Sequence, residues 1–342
     1  MNRNIITSRL IALLLLIAVV MPIFSACKQT ITPKKRTFYD YFDTVSTVSD
    51  YSGGSDESFS ENFALVKSHL KFYHELFDIY NEYDSLTNLA TVNRLAGEGE
   101  VKVGAELIEF LEYAVMMHDL TGGNMNIAMG SVLKIWHEYR EGGVAVPAES
   151  ELRAAAEHTD IKNLVIDKEK STVRFLDPKM SLDVGAIAKG YAVEKAAEEL
   201  MAKGVSSYVL DVGGNLRVIG HKPDGSKWRT GIENPDLYSE TPYVYYLDVA
   251  DTSVVTSGNY QRFYTVDGVR YHHIINKDTL MPVDYFASVT VITKNSGLAD
   301  ALSTALFNMD YESGVALISG LDGVSCVWVT NDGEIKKYGL KD

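Results

Sequence analysis

The stretch SLDVGAIAKGYAVEKA, from Ser181 to Ala196, places an acid, a glycine-flanked turn and a lysine at the start of a helical pattern. We interpret it as a short apolar strand that reaches Asp183, followed by a helix that begins near Gly185. The first N–H groups of such a helix lack partners within the helix, and together with the helix dipole they favour an anion. Lys189 would reach the same anion. The spacing fits a ligand site and fits equally a simple helix cap at Asp183 beside a solvated lysine.

The remainder of the chain carries both helical and strand patterns, and the strands arrive mostly as hairpins. Apolar spacing of three and four residues predicts a helix from Phe59 and two more over residues 104–120 and 131–140. After about residue 163, alternating segments separated by glycine turns predict antiparallel pairs. These patterns favour the α+β class with an antiparallel sheet over a doubly wound parallel sheet.

The balance of charges limits the kinds of ligand. The 342 residues carry a formal net charge of −14. Such a surface repels phosphate backbones, so we expect no nucleic-acid partner. A smaller anionic ligand would need local devices, such as a helix N-terminus, a lysine or a metal ion.

The first residues have the layout of a secretory signal peptide, with two arginines, a short apolar run and small residues before Cys27. The apolar run is shorter than the ~20 residues that span a bilayer comfortably. Residues 24–27, FSAC, resemble the lipobox of bacterial lipoproteins, although Phe24 stands where leucine is usual. We therefore predict a signal peptide over 1–26, a lipid on Cys27 and a polar tether over 27–37.

A second place that could carry chemistry is GLADALSTALF, in which Asp300 and Thr304 are four residues apart on one helix face. A carboxylate beside a hydroxyl suits Mg²⁺, which takes few protein ligands and leaves room for water and phosphate oxygens. A dipole-stabilising acid and a core threonine would give the same spacing.

Two further segments offer polar groups. In YHHIIN, His272 and His273 face opposite sides of a strand, so at most one addresses a given site, where a neutral imidazole could serve as a general base. In TGGNMN, the residues Asn124, Met125 and Asn126 could contact the edge of a heterocycle, or could be ordinary loop residues. The single remaining cysteine, Cys326, is expected to be a buried strand residue.

In this order, the segments SLDVGAIAKGYAVEKA, VGGNLRVIG, TSGNYQRFY, YHHIIN and SVTVITKNSGLADALSTALF resemble the ApbE-type FAD:protein FMN transferases. The resemblance runs from DTVSTV, which begins at Asp43, over nearly all of the following chain. It implies one flavin transferase domain over residues 38–342, with an α+β, T-fold-like two-lobed structure. It also implies FAD in a cleft and Mg²⁺ on the FAD diphosphate.

The resemblance also implies roles for individual residues. Mg²⁺ would be held by Asp300, Thr304 and a backbone oxygen of Ala186. The FAD contacts would be Phe42, Tyr83, Asn124, Met125, Asn126, Asp183, Lys189 and Ile274.

The sequence departs from the family pattern at three of its positions. Asn126 stands where many members have aspartate, Leu280 where many have glycine, and Phe42 where methionine is commoner. We expect Asn126 to contact the flavin through its amide, which can both donate and accept a hydrogen bond.

The activity that the resemblance implies is the cleavage of FAD and the transfer of FMN to a Thr or Ser hydroxyl of a partner protein, with release of AMP. His273 or Asp300 would assist removal of the hydroxyl proton. We expect the protein to be extracytoplasmic and anchored to the membrane by its lipid, with acceptor flavoproteins of the cell envelope. Two alternatives remain: hydrolysis of FAD to FMN and AMP at the same site, and a flavin-binding lipoprotein that only captures FAD.

Overall fold

The computed structural model describes residues 32–340 and confirms the predicted α+β class. In this part of the chain the helices are α1 (Asp56–Phe77), α2 (Leu89–Arg94), α3 (Ala105–Leu120), α4 (Gly130–Gly142), α5 (Glu149–Ala156), α6 (Ala188–Ala202), α7 (Ser296–Phe307) and α8 (Tyr311–Ile318). The strands are β1 (Lys34–Phe38), β2 (Ser46–Asp50), β3 (Val101–Lys102), β4 (Leu164–Asp167), β5 (Thr172–Phe175), β6 (Tyr208–Val212), β7 (Asn215–Ile219), β8 (Trp228–Glu233), β9 (Tyr243–Val249), β10 (Thr252–Gly258), β11 (Phe263–Val266), β12 (Val269–His272), β13 (Ser288–Thr293), β14 (Ser325–Val329) and β15 (Ile335–Tyr338).

One large antiparallel sheet organises these elements. Its strand order is β1-β2-β6-β7-β10-β13-β14-β15, and every neighbouring pair is antiparallel. The strands therefore follow the order of the chain, and the small sheets β3-β5-β4, β8-β9 and β11-β12 are insertions between neighbours. This arrangement matches the hairpin patterns of the sequence, because antiparallel neighbours need only short turns.

The sheet is buried on both faces, which explains why the strand β13 is buried along its whole length. On one face, Val289 and Val291 pack with α7 and α8. On the other face, Ile292 packs with the β8–β9 hairpin. Period-two alternation sends successive residues to opposite faces, so a strand covered on both sides is apolar throughout. The predicted burial of Cys326 is confirmed on β14.

The opening stretch differs from its prediction in two respects. Its first residues form no strand of a sheet; Ser181 makes a single bridge with Met129, and Asn93 holds both backbone groups of Leu182. The helix α6 begins at Ala188 and not near Gly185. Residues 185–187 form a turn instead, since the carboxylate of Asp183 binds a backbone N–H there and competes with the start of a helix.

The N-terminal predictions fall mostly outside the described residues, including the signal peptide and Cys27. The tether predicted over 27–37 needs a correction, because Lys34–Phe38 is the edge strand β1 of the main sheet. Its basic residues protect an exposed edge from pairing with other chains. Among residues 32–340, none of the helices has the length and apolar character required to cross a bilayer.

The helices α6 and α7 are joined by a reciprocal pair of hydrogen bonds. The N–H of Gly190, in the first turn of α6, donates to Asp300 Oδ2 on α7 at 2.8 Å. The N–H of Ser296, at the start of α7, donates to Glu194 Oε2 on α6 at 2.7 Å. The first backbone N–H groups of a helix have no partner within that helix. Here a carboxylate of each helix accepts a hydrogen bond from one such N–H group of the other helix.

Glycine is required at position 190 by the close approach of the two helices. A Cβ atom there would lie 2.3 Å from the carbonyl oxygen of Ser296 and 2.5 Å from Cβ of Asp300. We predict that Gly190→Ala lowers the free energy of unfolding by about 1–3 kcal/mol, the usual cost of overpacking. Urea unfolding would measure it.

Gly142→Ala is the matched control, because a Cβ atom at that helical position meets nothing within 4 Å. We expect this control to be neutral or slightly stabilising, since alanine favours a helix. Equal stability of the two variants would contradict the close approach of the helices.

Candidate active site

A cavity of about 550 Å³ opens where the β6–β7 turn, the end of β10, one side of α4 and the start of α6 meet α7. This volume is typical of a site for a small organic ligand. The cavity gathers most of the residues selected from the sequence, although they are spread over more than half of the chain. They are Asn124, Met125, Asn126, Asp183, Ala186, Lys189, His273, Ile274, Asp300 and Thr304.

The carboxylate of Asp300 on the cavity wall is buried and forms no ion pair within residues 32–340. Asp300 is only 4% exposed, and its Oδ2 accepts the N–H of Gly190. Burial raises the pKa of Asp300, and the charge of Lys189 and the Gly190 hydrogen bond oppose that rise. Thr304 lines the same wall one helical turn further along α7. A hard cation would offset the burial of this carboxylate, and an octahedral ion such as Mg²⁺ would keep space for water and ligand oxygens.

Asp183 has a local structural role as well as a place in the cavity. Its Oδ1 accepts the backbone N–H of Gly185 at 2.9 Å. The N–H of Gly185 is therefore engaged, and the anion site expected at this N–H is not free. The alternative of a helix cap at Asp183 is wrong, because the helix α6 has Ile187 at its N-cap and no side chain caps it. Asp183 binds the preceding turn instead and still lines the cavity, as do Gly185 and Lys189.

Of the two adjacent histidines, only His273 lines the cavity, in agreement with strand alternation. His272 is buried against Val283 O, at 2.8 Å from its Nε2. His273 Nδ1 lies 3.2 Å from the carbonyl oxygen of Arg262. Because a carbonyl only accepts, Nδ1 carries the proton, and Nε2 is left as the basic nitrogen. Burial lowers the pKa of His273 to about 3, so the ring is neutral at neutral pH.

The amide of Asn126 is held by the protein. Its Nδ2 donates to the carbonyl of Thr159 at 3.0 Å, and its Oδ1 accepts the N–H of Ala128 at 2.9 Å. The predicted contact between this amide and a flavin would have to use its remaining hydrogen-bonding capacity. The contact with a flavin stays a prediction, and the structure adds that the amide joins the loop of Asn126 to the loop of Thr159.

The structure leaves two predicted residues outside the cavity wall. The hydroxyl of Tyr83 turns away to Asp78 Oδ2, at 3.0 Å. The ring of Phe42 lies against His74, with centroids 5.5 Å apart. The neighbour of Phe42, Asp43, lines the cavity instead.

Tyr80, three residues before Tyr83, contacts a residue of the cavity wall. Its hydroxyl lies 3.0 Å from Nδ1 of His137, a residue of the cavity wall. Burial and the charge of Asp183 raise the pKa of Tyr80 to about 12, so its hydroxyl keeps its proton. The segment IYNEY carries tyrosines three residues apart, and neither is among the residues that line the cavity.

Three further nitrogen-containing side chains line the cavity and were not predicted from the sequence: His137, Arg140 and Arg262. The spacing of His137 and Arg140 on one face of α4 was visible in the sequence. This spacing alone does not indicate a ligand site, because the sequence does not show that this face of α4 lines a cavity.

Comparison with known proteins agrees with these observations. Residues 42–328 match the model of the ApbE family. The chain is 34% identical over 262 residues to an FAD:protein FMN transferase of Treponema pallidum, an alignment that covers 72% of each protein. It is 29% identical over 270 residues to an FAD:protein FMN transferase of Vibrio cholerae, covering 78% of this chain and 80% of that one.

Solved structures show the same architecture. The crystal structure of an ApbE protein from Thermotoga maritima superposes with a TM-score of 0.80 at 26% identity, covering 90% of this chain and 97% of that one. The flavin transferase ApbE from Vibrio cholerae gives a TM-score of 0.74 at 25% identity, with the same coverage.

We predict that Asn126→Asp destabilises the protein by about 1–3 kcal/mol, because a carboxylate cannot donate to the carbonyl of Thr159 and leaves that oxygen unpaired. Asn295→Asp is the matched control: Asn295 caps α7 through its Oδ1, a role that aspartate also fills. Thermal unfolding of both variants measures the difference. An Asn126→Asp variant as stable as the control would contradict the structural role.

Proposed function

The chain belongs to the ApbE family, and we propose that it is an FAD:protein FMN transferase that uses the cavity described above. The observation that carries this proposal is the convergence of Asp300, Thr304, Lys189 and His273 on one cavity. These residues offer oxygen ligands, a cation and a neutral base, which are the groups that transfer of a phosphoryl-linked group requires.

The reaction is a displacement at phosphorus. The hydroxyl oxygen of an acceptor Thr or Ser attacks the phosphorus on the FMN side of the FAD diphosphate. The bond from that phosphorus to the bridging oxygen breaks, and AMP leaves with this oxygen. The proton of the acceptor hydroxyl must move to a base as the new ester bond forms.

His273 is suited to receive this proton. Its Nδ1 hydrogen bond to the carbonyl of Arg262 fixes the tautomer that leaves Nε2 unprotonated. The low pKa of the free site makes the ring a weak base on its own. The negative charge of a bound diphosphate would raise this pKa, because a nearby anion favours the imidazolium. Asp300 remains the second candidate for assisting the proton transfer.

Lys189 would hold a phosphate oxygen of the bound FAD. It lies beside Gly190, whose N–H orients the carboxylate of Asp300, and its charge acts on both Asp300 and His273. A fixed cation at this place stabilises the charge that develops on the phosphate oxygens during the displacement.

The residues present fit Mg²⁺ as the metal ion, with Asp300, Thr304 and the backbone of Ala186 as its ligands. The buried carboxylate lacks a bound counter-charge, and oxygen ligands with space for water and phosphate are those that Mg²⁺ prefers. When bound, the ion would supply neutralisation of the diphosphate charge.

The remaining contacts in this proposal surround the organic part of FAD. Asp183 and the backbone of Asn124, Met125 and Asn126 would face the flavin. Ile274 would supply an apolar contact. Tyr83 stays a predicted contact of the FAD, and Tyr80 is a second candidate because its hydroxyl contacts His137 of the cavity wall.

The test is mass spectrometry of candidate acceptor proteins after incubation with the enzyme, FAD and Mg²⁺. We predict a covalent flavin that survives denaturation and adds the mass of an FMN phosphoester. Asp300→Asn should reduce this transfer by at least about a hundredfold, since loss of the buried carboxylate removes the proposed metal ligand. Asp322→Asn, in an exposed turn, is the control and should transfer like the unmodified enzyme.

Other products would identify the alternatives. Free FMN and AMP, with every acceptor unmodified, would indicate a hydrolase. FAD that is bound and recovered intact would indicate a carrier.

We also propose that the protein is extracytoplasmic, with Cys27 lipidated and its acceptors in the cell envelope. The support is the signal-like sequence before Cys27 and the lipobox resemblance. We predict that Cys27→Ser moves the protein from the membrane fraction to the soluble fraction after cell breakage. Retention of the variant on washed membranes would mean that the anchor does not depend on this residue.

A further inference from the structure

Three hydroxyl groups form a series that leads from the cavity wall to the backbone of α7. Ser257, near the end of β10, and Thr304, on α7, both line the cavity. Ser257 Oγ lies 2.8 Å from Oγ of Ser303 and 3.5 Å from Oγ1 of Thr304. Ser303 Oγ lies 3.0 Å from the backbone oxygen of Asp300. The two proposed metal ligands, Asp300 and Thr304, are thus connected through two serines.

The hydrogen bonds of this series can run in one direction only. A backbone carbonyl accepts and never donates, so Ser303 gives its single hydroxyl hydrogen to the carbonyl of Asp300. Ser303 Oγ then accepts from Ser257, which leaves Ser257 without a hydrogen for Thr304. Towards Thr304, Ser257 can therefore act only as an acceptor.

The hydroxyl of Thr304 has Ser257 as its one hydrogen-bond partner within residues 32–340. A helical threonine often donates to the carbonyl four residues earlier, which here is that of Asp300. This oxygen already accepts Ser303 Oγ and, by helical geometry, the N–H of Thr304, so both of its lone pairs are used.

The two contacts of Ser257 differ in strength. A separation of 3.5 Å is long for two hydroxyl groups, whereas 2.8 Å is the usual distance. The orientation of Ser257 is therefore set by Ser303, and Thr304 adapts to the lone pair that Ser257 presents.

This direction matters for a cation in the cavity. A hydroxyl oxygen offers a lone pair to a metal ion when its hydrogen points elsewhere. Because Ser257 accepts the hydrogen of Thr304, Oγ1 of Thr304 keeps its lone pairs for the cavity that it lines. If Ser257 donated instead, the hydrogen of Thr304 would be free to point at the cation and repel it.

We propose that Ser257 is a positioning residue of the metal site: it accepts the hydrogen of Thr304, and Ser303 holds it in the orientation that allows this. The inference rests on the proposed function, in which Thr304 is a ligand of Mg²⁺. Groups behind a metal ligand commonly set its orientation and the affinity for the metal.

The burial of Ser303 supports a fixed orientation. Its side chain is fully buried, so water does not compete for its hydroxyl. Ser288 on β13, opposite Gly258 of β10, is equally buried, but its Oγ has no hydrogen-bond partner in the described part of the chain. Ser288 thus matches Ser303 in burial and stands outside the series, which makes it the control.

The probe is Mn²⁺, which takes the same oxygen ligands as Mg²⁺ and whose free ion has a measurable EPR signal. Titration into the full chain gives a dissociation constant without turnover, and added Mg²⁺ should displace the bound ion. We expect Ser257→Ala to weaken Mn²⁺ binding about tenfold, the usual effect of removing a group behind a metal ligand. Ser257→Thr keeps a hydroxyl and should restore most of the affinity.

Two further variants test the series itself. Ser303→Ala frees the hydrogen of Ser257 to turn to Thr304, so it should also weaken Mn²⁺ binding, by less than Ser257→Ala does. The double variant should bind Mn²⁺ as Ser257→Ala does, because Ser303 acts only through Ser257. Ser288→Ala should bind Mn²⁺ like the unmodified protein. Urea unfolding of each variant separates lost metal binding from lost stability.

Unchanged Mn²⁺ affinity in Ser257→Ala would overturn the proposal. A loss in Ser257→Ala with none in Ser303→Ala would make Ser257 a direct ligand and would also overturn it. Absence of Mn²⁺ binding to the unmodified protein would refute both the metal site and the role of Ser257.

These outcomes are separate from the test of the proposed function. If Mn²⁺ binding depends on both serines but no acceptor is modified, the transferase proposal fails and the metal site remains. If FMN is transferred and neither serine affects Mn²⁺ binding, only the positioning role is refuted.

Discussion

The crossing of α6 and α7 at Gly190 is the contact on which the active site depends. A side chain there would collide with Ser296, so only glycine allows the reciprocal hydrogen bonds between the two helices. These bonds fix Lys189 on one helix relative to Asp300 on the other. In the proposed reaction, a cation and a carboxylate that are far apart in the chain would thereby act on the same phosphate groups.

The helix crossing also extends into a buried ionic network. Glu194, which binds the N–H of Ser296, lies 3.3 Å from Nε of Arg217 on β7. Burial raises the pKa of Glu194, and Arg217 opposes that rise. Removing one partner of a buried ion pair leaves an uncompensated buried charge. This lowers the free energy of unfolding far more than the loss of an exposed ion pair does. The sheet and both helices are therefore joined by polar contacts directly behind the cavity.

The cavity combines groups that would be unstable in isolation. Burial disfavours the carboxylate of Asp300, keeps His273 neutral and, together with the charge of Arg262, lowers the pKa of Arg140. The metal ion and the diphosphate of the proposed reaction would relieve such costs. Such unfavourable arrangements are expected at functional sites, where the ligands supply the missing charges.

The sequence alone determined the α+β class, the antiparallel hairpins and the residue pair Asp300 and Thr304, because these depend on periodicity within short segments. Strand alternation also predicted that at most one of the two adjacent histidines addresses the site, and the family resemblance selected His273. The sequence could not place the start of α6 or show that the amide of Asn126 binds the loop of Thr159. Those features depend on contacts between groups that the sequence pattern does not bring together. Only the folded structure determines which backbone groups are already satisfied and which charges face one another.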